Sequence, residues 1–325
     1  MQLLIRQILI FTLLTATFSG CTHYLAPAPC PDPLPPFYVP DHIRVALVLG
    51  SGGVRGMAHV GVIEELVAAD IPIDLIVGCS AGSVVGALYA DNPDVGALVR
   101  TLWQRSTRSL LDFDFWNCRY GLSQPTAFWR VLSHDLCART FEELSIPLVV
   151  VATDLCSGEL VPIGSGDLVM ALQASSSIPL VFVPCQYKGR ILVDGGIVDP
   201  VPVQLARELG AEVVIAVDLA ELLPSTCPTN LFSIIQRSAD ISSIWHNERC
   251  AQTADVVIQP KVCGVGTFND RLKSQLYCAG RQAARAKISA ILDKIKQKTT
   301  PDEGLCGWRL VEPECYAPRI YDCCD

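Results

Sequence analysis

Several familiar signatures are missing from these 325 residues. The net charge is -8, and the 25 Lys and Arg are scattered rather than clustered, which argues against a polyanion-binding surface and leaves no expectation of a nucleic-acid partner. Beyond the first twenty residues no apolar run reaches the ~20 residues needed to cross a bilayer without charges or breakers. The glycine-rich turns follow neither the G-x-G-x-x-G nor the G-x-x-x-x-G-K spacing, which counts against dinucleotide and P-loop sites. Cysteine is plentiful, at 15, but the C-x-x-C-like spacing of a zinc site is absent. No metal or cofactor is therefore expected, and no internal repeat divides the chain.

What is present begins with a leader. Residues 1–20 carry one charge, Arg6, then an apolar stretch from Ile8 to Leu14 and the small residues before Cys21. That pattern is too short to span a membrane and resembles a bacterial lipobox, so the sequence predicts cleavage before Cys21, acylation there, and a lipid anchor. Thr22 after the cysteine is similar to lipoproteins sent to an outer membrane. The expected location is the bacterial cell envelope. Residues 21–42 hold seven prolines, among them Pro35, Pro36 and Pro40, a composition expected to give a semi-rigid stalk with no core of its own. Residues 43–298 read as one catalytic domain, and 299–325 as a tail in which Cys306, Cys315, Cys323 and Cys324 suggest disulfides in an oxidising compartment.

Within the domain, two glycine turns stand out. Gly50-Ser51-Gly52-Gly53-Val54-Arg55-Gly56 follows the apolar run Val45–Leu49, and Gly78-Cys79-Ser80-Ala81-Gly82 follows Ile73–Val77. Each leads into a helical pattern, over 57–69 and 82–90. Strands alternating with helices predict an α/β fold with a mostly parallel sheet, both turns lying at its carboxyl edge, where such folds bind ligands. Further strands are expected near 148–152, 191–193, 213–217 and 256–258, with helices near 94–106, 124–136, 167–175, 201–209, 231–250 and 268–296.

The second turn fits G-x-S-x-G, the strand-to-helix elbow that holds a serine hydroxyl clear of its backbone, which makes Ser80 a candidate nucleophile. In the first turn, glycines let backbone N–H groups approach a ligand oxygen, so the amides of Gly52, Gly53 and Val54 are candidate oxyanion donors. Arg55 is better suited to organising the loop or meeting a phosphate than to catalysis. Asp194, between a strand and Gly195-Gly196, offers a carboxylate base. Asp154 and Asp218 read as loop supports, His59 as structural, and His134 and His246 as helix-face residues. The run Leu110–Trp116 is either core or an apolar wall for an acyl chain.

Taken in order, the glycine loop with Arg55-Gly56, the serine elbow and Asp194-Gly195-Gly196 resemble the three signature blocks of the patatin-like phospholipases. Ala174–Pro179 and Asp199–Pro202 agree, over roughly Ile43 to Leu219. The resemblance implies a patatin-like three-layer sandwich and a serine esterase of the phospholipase A or lysophospholipase kind, acting on membrane phospholipid or lysophospholipid. It further implies Ser80 as nucleophile, Asp194 as general base and the Gly52 and Gly53 amides at the oxyanion. Two residues depart from the pattern: Ser51 stands where many members have glycine, and Cys79 where threonine is common. Two other readings stay open: a Ser-His-Asp hydrolase, for which Ser80, Asp194 and His246 are in sequence order, and a non-catalytic cysteine-rich envelope lipoprotein on the same scaffold. Oligomeric state is not legible.

Overall fold

Val45, Leu47 and Leu49 point to one side of their strand and Ala46 and Val48 to the other, and all five are buried, so this strand is covered on both faces. A computed structural model describes residues 25, 27, 28, 31–114, 119–220, 227–262, 270–298 and 307–313. In chain order the elements are β1 (Phe37–Pro40), β2 (Ile43–Leu49), α1 (Met57–Ala68), β3 (Leu75–Cys79), α2 (Ala81–Asp91), α3 (Val95–Gln104), β4 (Asp112–Phe113), β5 (Ser123–Gln124) and α4 (Thr126–Asp135). They continue with β6 (Leu148–Asp154), β7 (Leu160–Ile163), α5 (Leu168–Ser175), β8 (Cys185–Tyr187), β9 (Arg190–Asp194), α6 (Val203–Glu208) and β10 (Ala211–Val217). The last are α7 (Leu231–Ala251), β11 (Val256–Ile258), α8 (Lys273–Arg285), α9 (Ile288–Lys298) and β12 (Trp308–Val311).

The main sheet runs β11-β10-β2-β3-β6-β9-β8, with β7 paired to β6 off this path. From β11 to β6 every pairing is parallel, and β7, β8 and β9 are antiparallel to their neighbours. One face buries Val60, Ile63 and Leu66 of α1 with Val85 of α2, Leu172 of α5 and Leu276 of α8. The other buries Val203, Leu205 and Ala206 of α6 with Phe37 and Val39 of β1. The fold is thus a three-layer α/β sandwich with a mostly parallel sheet, as the sequence predicts.

The register around β6 places the site. β7 occupies one side of β6 from Val150 to Thr153. β3 pairs with β6 as far as Cys79↔Val151, and β9 takes over from Ala152↔Asp194, so both must share the other side. β3 and the antiparallel β9 therefore run at each other along β6 and stop where Ser80 meets Asp194.

Two sequence expectations need correction. The proline-rich segment does not stay clear of the core: Leu34, Phe37 and Val39 are buried, and β1 pairs antiparallel with β12, Phe37 opposite Val311 and Pro40 opposite Trp308. A ribbon made from the expected stalk and the expected tail is folded onto the domain. The prolines bracket an alternating Phe37-Tyr38-Val39 that reads as an edge strand, where a missing N–H is tolerated. The helix expected over 268–296 is two helices, parted at Ala286–Lys287, with residues 270–272 a separate 3-10 turn. Cys21, Cys306, Cys315, Cys323 and Cys324 lie outside the described residues; Cys79, Cys137, Cys156, Cys185, Cys227, Cys250 and Cys278 are free thiols. Among the described residues no helix is long and apolar enough to cross a membrane.

Candidate active site

Ser80 has φ 52° and ψ -119°, a conformation that costs a non-glycine residue about 1–3 kcal/mol. Its surroundings hold it there. The Ser80 amide donates to Ser175 Oγ at 2.9 Å, Ser83 Oγ donates to the Ser80 carbonyl at 2.6 Å, and α2 begins one residue later. The helix can start so close to the sheet only because residue 82 is glycine: a Cβ there would lie 2.0 Å from the Leu49 carbonyl oxygen. The turn throws the hydroxyl forward, and Ser80 Oγ donates to Asp194 Oδ2 at 2.5 Å.

Asp194 is held from three sides. Its other carboxylate oxygen accepts from the Gly196 amide at 2.8 Å, its own amide donates to the Ser177 carbonyl at 3.0 Å, and its carbonyl accepts from Thr153 Oγ1 at 3.0 Å. Burial raises the Asp194 carboxyl to about 6, against the opposing pull of the Ser80 and Gly196 hydrogen bonds. Near neutral pH it is ionised and its proton affinity is that of a usable base.

The first glycine loop closes the other side. The Ser51 amide donates to Pro200 O at 2.9 Å, and Gly53 has φ 57°. Residues Gly53–Gly56 form a 3-10 turn, in which both the amide and Nε of Arg55 donate to Gly52 O at 3.1 Å. The leading amides of such a turn have no intrahelical acceptor. Gly53 and Val54 line a cavity together with Ser80, whereas Gly52 is packed behind them against Leu219. His59, fully buried, meets the Gly50 carbonyl through Nε2 at 2.8 Å; a carbonyl only accepts, so that nitrogen carries the proton. Burial drives its pKa down to about 4, and it is a neutral tie for the loop.

The cavity, about 140 Å³, is lined by Ser80 with Met57, Val84, Leu110, Leu111, Phe128 and Phe182, and also by Arg105, Ser106, Thr107 and Lys273. Residues 102–107 are tied down beside it. Lys273 Nζ donates to the Leu102 carbonyl at 2.9 Å and to that of Arg105, Asp270 accepts from Ser106 Oγ at 2.8 Å and Thr107 Oγ1 at 2.7 Å, and Arg105 pairs with Asp135.

Other candidates sit apart from this centre. Asp154 accepts from the Cys156 amide at 2.9 Å and Arg190, and Asp218 from Asn247 Nδ2 and Gln259 Nε2 at 2.6 and 3.0 Å, both supporting loops. His134 is exposed beside Arg105 and Asp135; His246 is on α7. Cys79 is fully buried behind the elbow, where burial raises its thiol well above the usual range. Leu110 and Leu111 do reach the cavity, while residues 115–118 lie outside the described chain. Ser175, Arg105 and Lys273 are site residues that sequence reasoning passed over; only Ser175, inside a quoted block, carried a signal.

The model of the patatin-like phospholipase family matches residues 47–207. An uncharacterized NTE family protein of Mycobacterium tuberculosis is 38% identical over 178 residues, covering 54% of this chain and 49% of that protein. Human patatin-like phospholipase domain-containing protein 6 is 34% identical over 181 residues, 54% of this chain and 13% of that one. The lysophospholipase NTE1 of Coccidioides immitis is 29% identical over 288 residues, covering 78% and 18%. The chain thus spans about half the length of the first of these relatives and less of the others. In structure it is similar to VipD from Legionella pneumophila, with a TM-score of 0.54 at 15% identity over 78% of this chain and 68% of that one. The family match takes in both glycine turns and Asp194 in a single stretch, and by it residues 47–207 form a patatin-like phospholipase domain.

Proposed function

We propose that the chain is a lipid acyl hydrolase of the phospholipase A or lysophospholipase kind, working through Ser80 and Asp194. The observation that carries this reading is the direct 2.5 Å hydrogen bond to the Asp194 carboxylate from Ser80 Oγ, Ser80 being part of the lining of an apolar cavity. The names of the fungal lysophospholipase and the human phospholipase-domain protein point to the same substrate class.

Asp194 Oδ2 takes the hydroxyl proton as Ser80 Oγ attacks the ester carbonyl carbon. The oxyanion receives hydrogen bonds from the Gly53 and Val54 amides, with Gly52 shaping the loop behind them. As the tetrahedral species collapses, the alkoxide leaves with the proton held by Asp194, and the acyl group stays on Ser80. Water then attacks the acyl-enzyme, giving its proton to Asp194. Collapse releases the fatty acid and returns that proton to Ser80 Oγ. No metal or cofactor enters any step.

A histidine-based triad is disfavoured because Asp194 contacts the serine without an intermediary, while His59 is occupied with Gly50 O and His134 with Arg105 and Asp135. His134→Ala and His246→Ala should keep most activity. Loss of activity in a folded His246→Ala protein to the Ser80→Ala level would restore the triad. A chain that hydrolyses no ester would leave the scaffold reading.

The leader adds a proposal about place: an envelope lipoprotein anchored through Cys21. Cys21→Ser should abolish incorporation of labelled palmitate in a bacterial host. If the wild type takes up no label, the anchor is wrong.

A further inference from the structure

The cavity is smaller than the substrate proposed for it. At about 140 Å³ it is close to an engineered apolar cavity of about 150 Å³ that binds benzene, so it takes a short length of acyl chain. The remainder of a long-chain lipid must lie against the surface beyond the mouth. What that surface offers can be read from backbone pairing. The Asp114 amide donates to Leu122 O at 3.1 Å and the Leu122 amide to Leu180 O at 3.0 Å, while Phe113 stands opposite Ser123, which in turn bridges Phe182. β4, β5 and residues 180–183 therefore form a three-stranded ribbon.

Registered partners share a face, and so do residues two apart. Leu111 lines the cavity and Phe113, two residues further along an extended segment, is 47% exposed; Leu180, also 47% exposed, sits in the turn between Ile178 and Phe182, both of which line the cavity. Leu180 is held at φ 71°, a left-handed conformation that a leucine adopts at a cost, and the result is an apolar side chain presented to solvent. Exposed apolar side chains thus flank cavity-lining residues in both chain segments.

We propose that the Phe113–Leu180 face docks onto a lipid surface, so that an acyl chain leaves the bilayer, crosses an apolar ramp and reaches Ser80 without meeting water. This rests on the lipid hydrolase reading. The net charge of -8 makes apolar insertion, rather than attraction to anionic headgroups, the source of the affinity. The occupant is therefore a zwitterionic bilayer, bound with little dependence on salt.

The test uses the full chain with Cys21→Ser, so that no acyl anchor contributes, and Ser80→Ala, so that vesicles stay intact. Co-sedimentation with phosphatidylcholine vesicles is measured with and without Phe113→Ser plus Leu180→Gly; glycine suits φ 71° and keeps the segment folded. The pair should weaken partitioning by about tenfold or more, and Phe113→Trp should preserve it. With Ser80 restored, vesicle hydrolysis should fall in parallel, while hydrolysis of a soluble short-chain ester, which needs no surface, stays within about twofold. A parent that does not bind vesicles, or a pair variant that binds equally well, overturns the proposal. So does a dimer in sedimentation velocity that the pair variant disrupts without change in vesicle binding, since the face would then belong to a second copy. If the binding pattern holds but no ester is cleaved, the hydrolase reading falls and the docking face stands. If esters are cleaved but the pair leaves binding untouched, the docking face alone falls.

Discussion

In the proposed mechanism Asp194 couples the chemistry to the stability of the fold in opposite directions. Burial raises its carboxyl to about 6, so the folded state holds its proton more tightly than the unfolded state does. The stabilising protonated form is fully present below the ordinary carboxylate value near 4 and is lost as pH rises through about 6. Over the same interval the base becomes competent, so hydrolysis should climb with an apparent pKa near 6 as stability declines. Asp199, also raised to about 6 by burial, adds to the decline. Asp194→Asn keeps an oxygen for the Gly196 amide and removes the buried charge. It should be inactive yet more stable than the wild type at pH 8, by about 1–3 kcal/mol, and the gain should vanish toward pH 4. Chemical denaturation at the two pH values checks this; a destabilised Asn variant at pH 8 would contradict it. The identity of these residues was legible because glycine, serine and aspartate sit at turns whose chemistry is local. Their contact was not, since it depends on β9 arriving antiparallel against the end of β3, and nothing in Ile191-Leu192-Val193 tells which way a strand runs.

Among the elements, α1 matters most to the site, because it opens from the glycine loop and carries His59. It is braced by α8 through a close crossing: a Cβ on Gly280 would fall 2.0 Å from the Ala58 carbonyl oxygen. Beside the crossing, buried Glu65 accepts from Arg281 Nε and Arg285 Nε, each at 2.6 Å. The Arg285 hydrogen bond, reinforced by Arg281, keeps the Glu65 carboxyl below its usual value. Gly280→Ala must push the helices apart, at a cost of about 1–3 kcal/mol or more, with a loss of kcat expected as the glycine loop shifts. A melting temperature and kcat both unchanged by Gly280→Ala would mean that α8 does not support the loop. The sequence shows the helical period over 268–296 but not the break at Ala286–Lys287, where neither glycine nor proline marks a stop and the chain turns by donating the Lys287 amide to Ala284 O at 2.8 Å. The short strands β4, β5, β7 and β8 likewise lack a pattern long enough to read, though β4 carries Phe113 of the proposed docking face.

At the scale of the molecule, the two ends of the described chain meet in the β1–β12 ribbon, and Phe37 is its largest contact with the core. Composition hid this, because proline-rich segments usually make spacers, whereas the buried, exposed, buried alternation of Phe37, Tyr38 and Val39 is that of a strand. Phe37→Ala should cost about 3–5 kcal/mol, and removing residues 307–313 should lower stability as well while leaving the geometry at Ser80 intact. Thermal melts of both variants decide whether the ribbon is part of the folding unit. Equal melting temperatures would return residues 37–40 to the stalk.

The proposed activity depends on Ser80 attacking an acyl ester with Asp194 as its base. The most direct measurement is lysophospholipid hydrolysis across pH 5 to 9, beside labelling by a fluorophosphonate probe, for the wild type, Ser80→Ala, Asp194→Asn and the double variant. Wild-type turnover should rise through about pH 6, Ser80→Ala should take no label, and both single variants should lose as much activity as the double, because the two residues act as one unit. An Asp194→Asn protein that labels and turns over at close to the wild-type rate, with the same pH profile, would contradict the proposal.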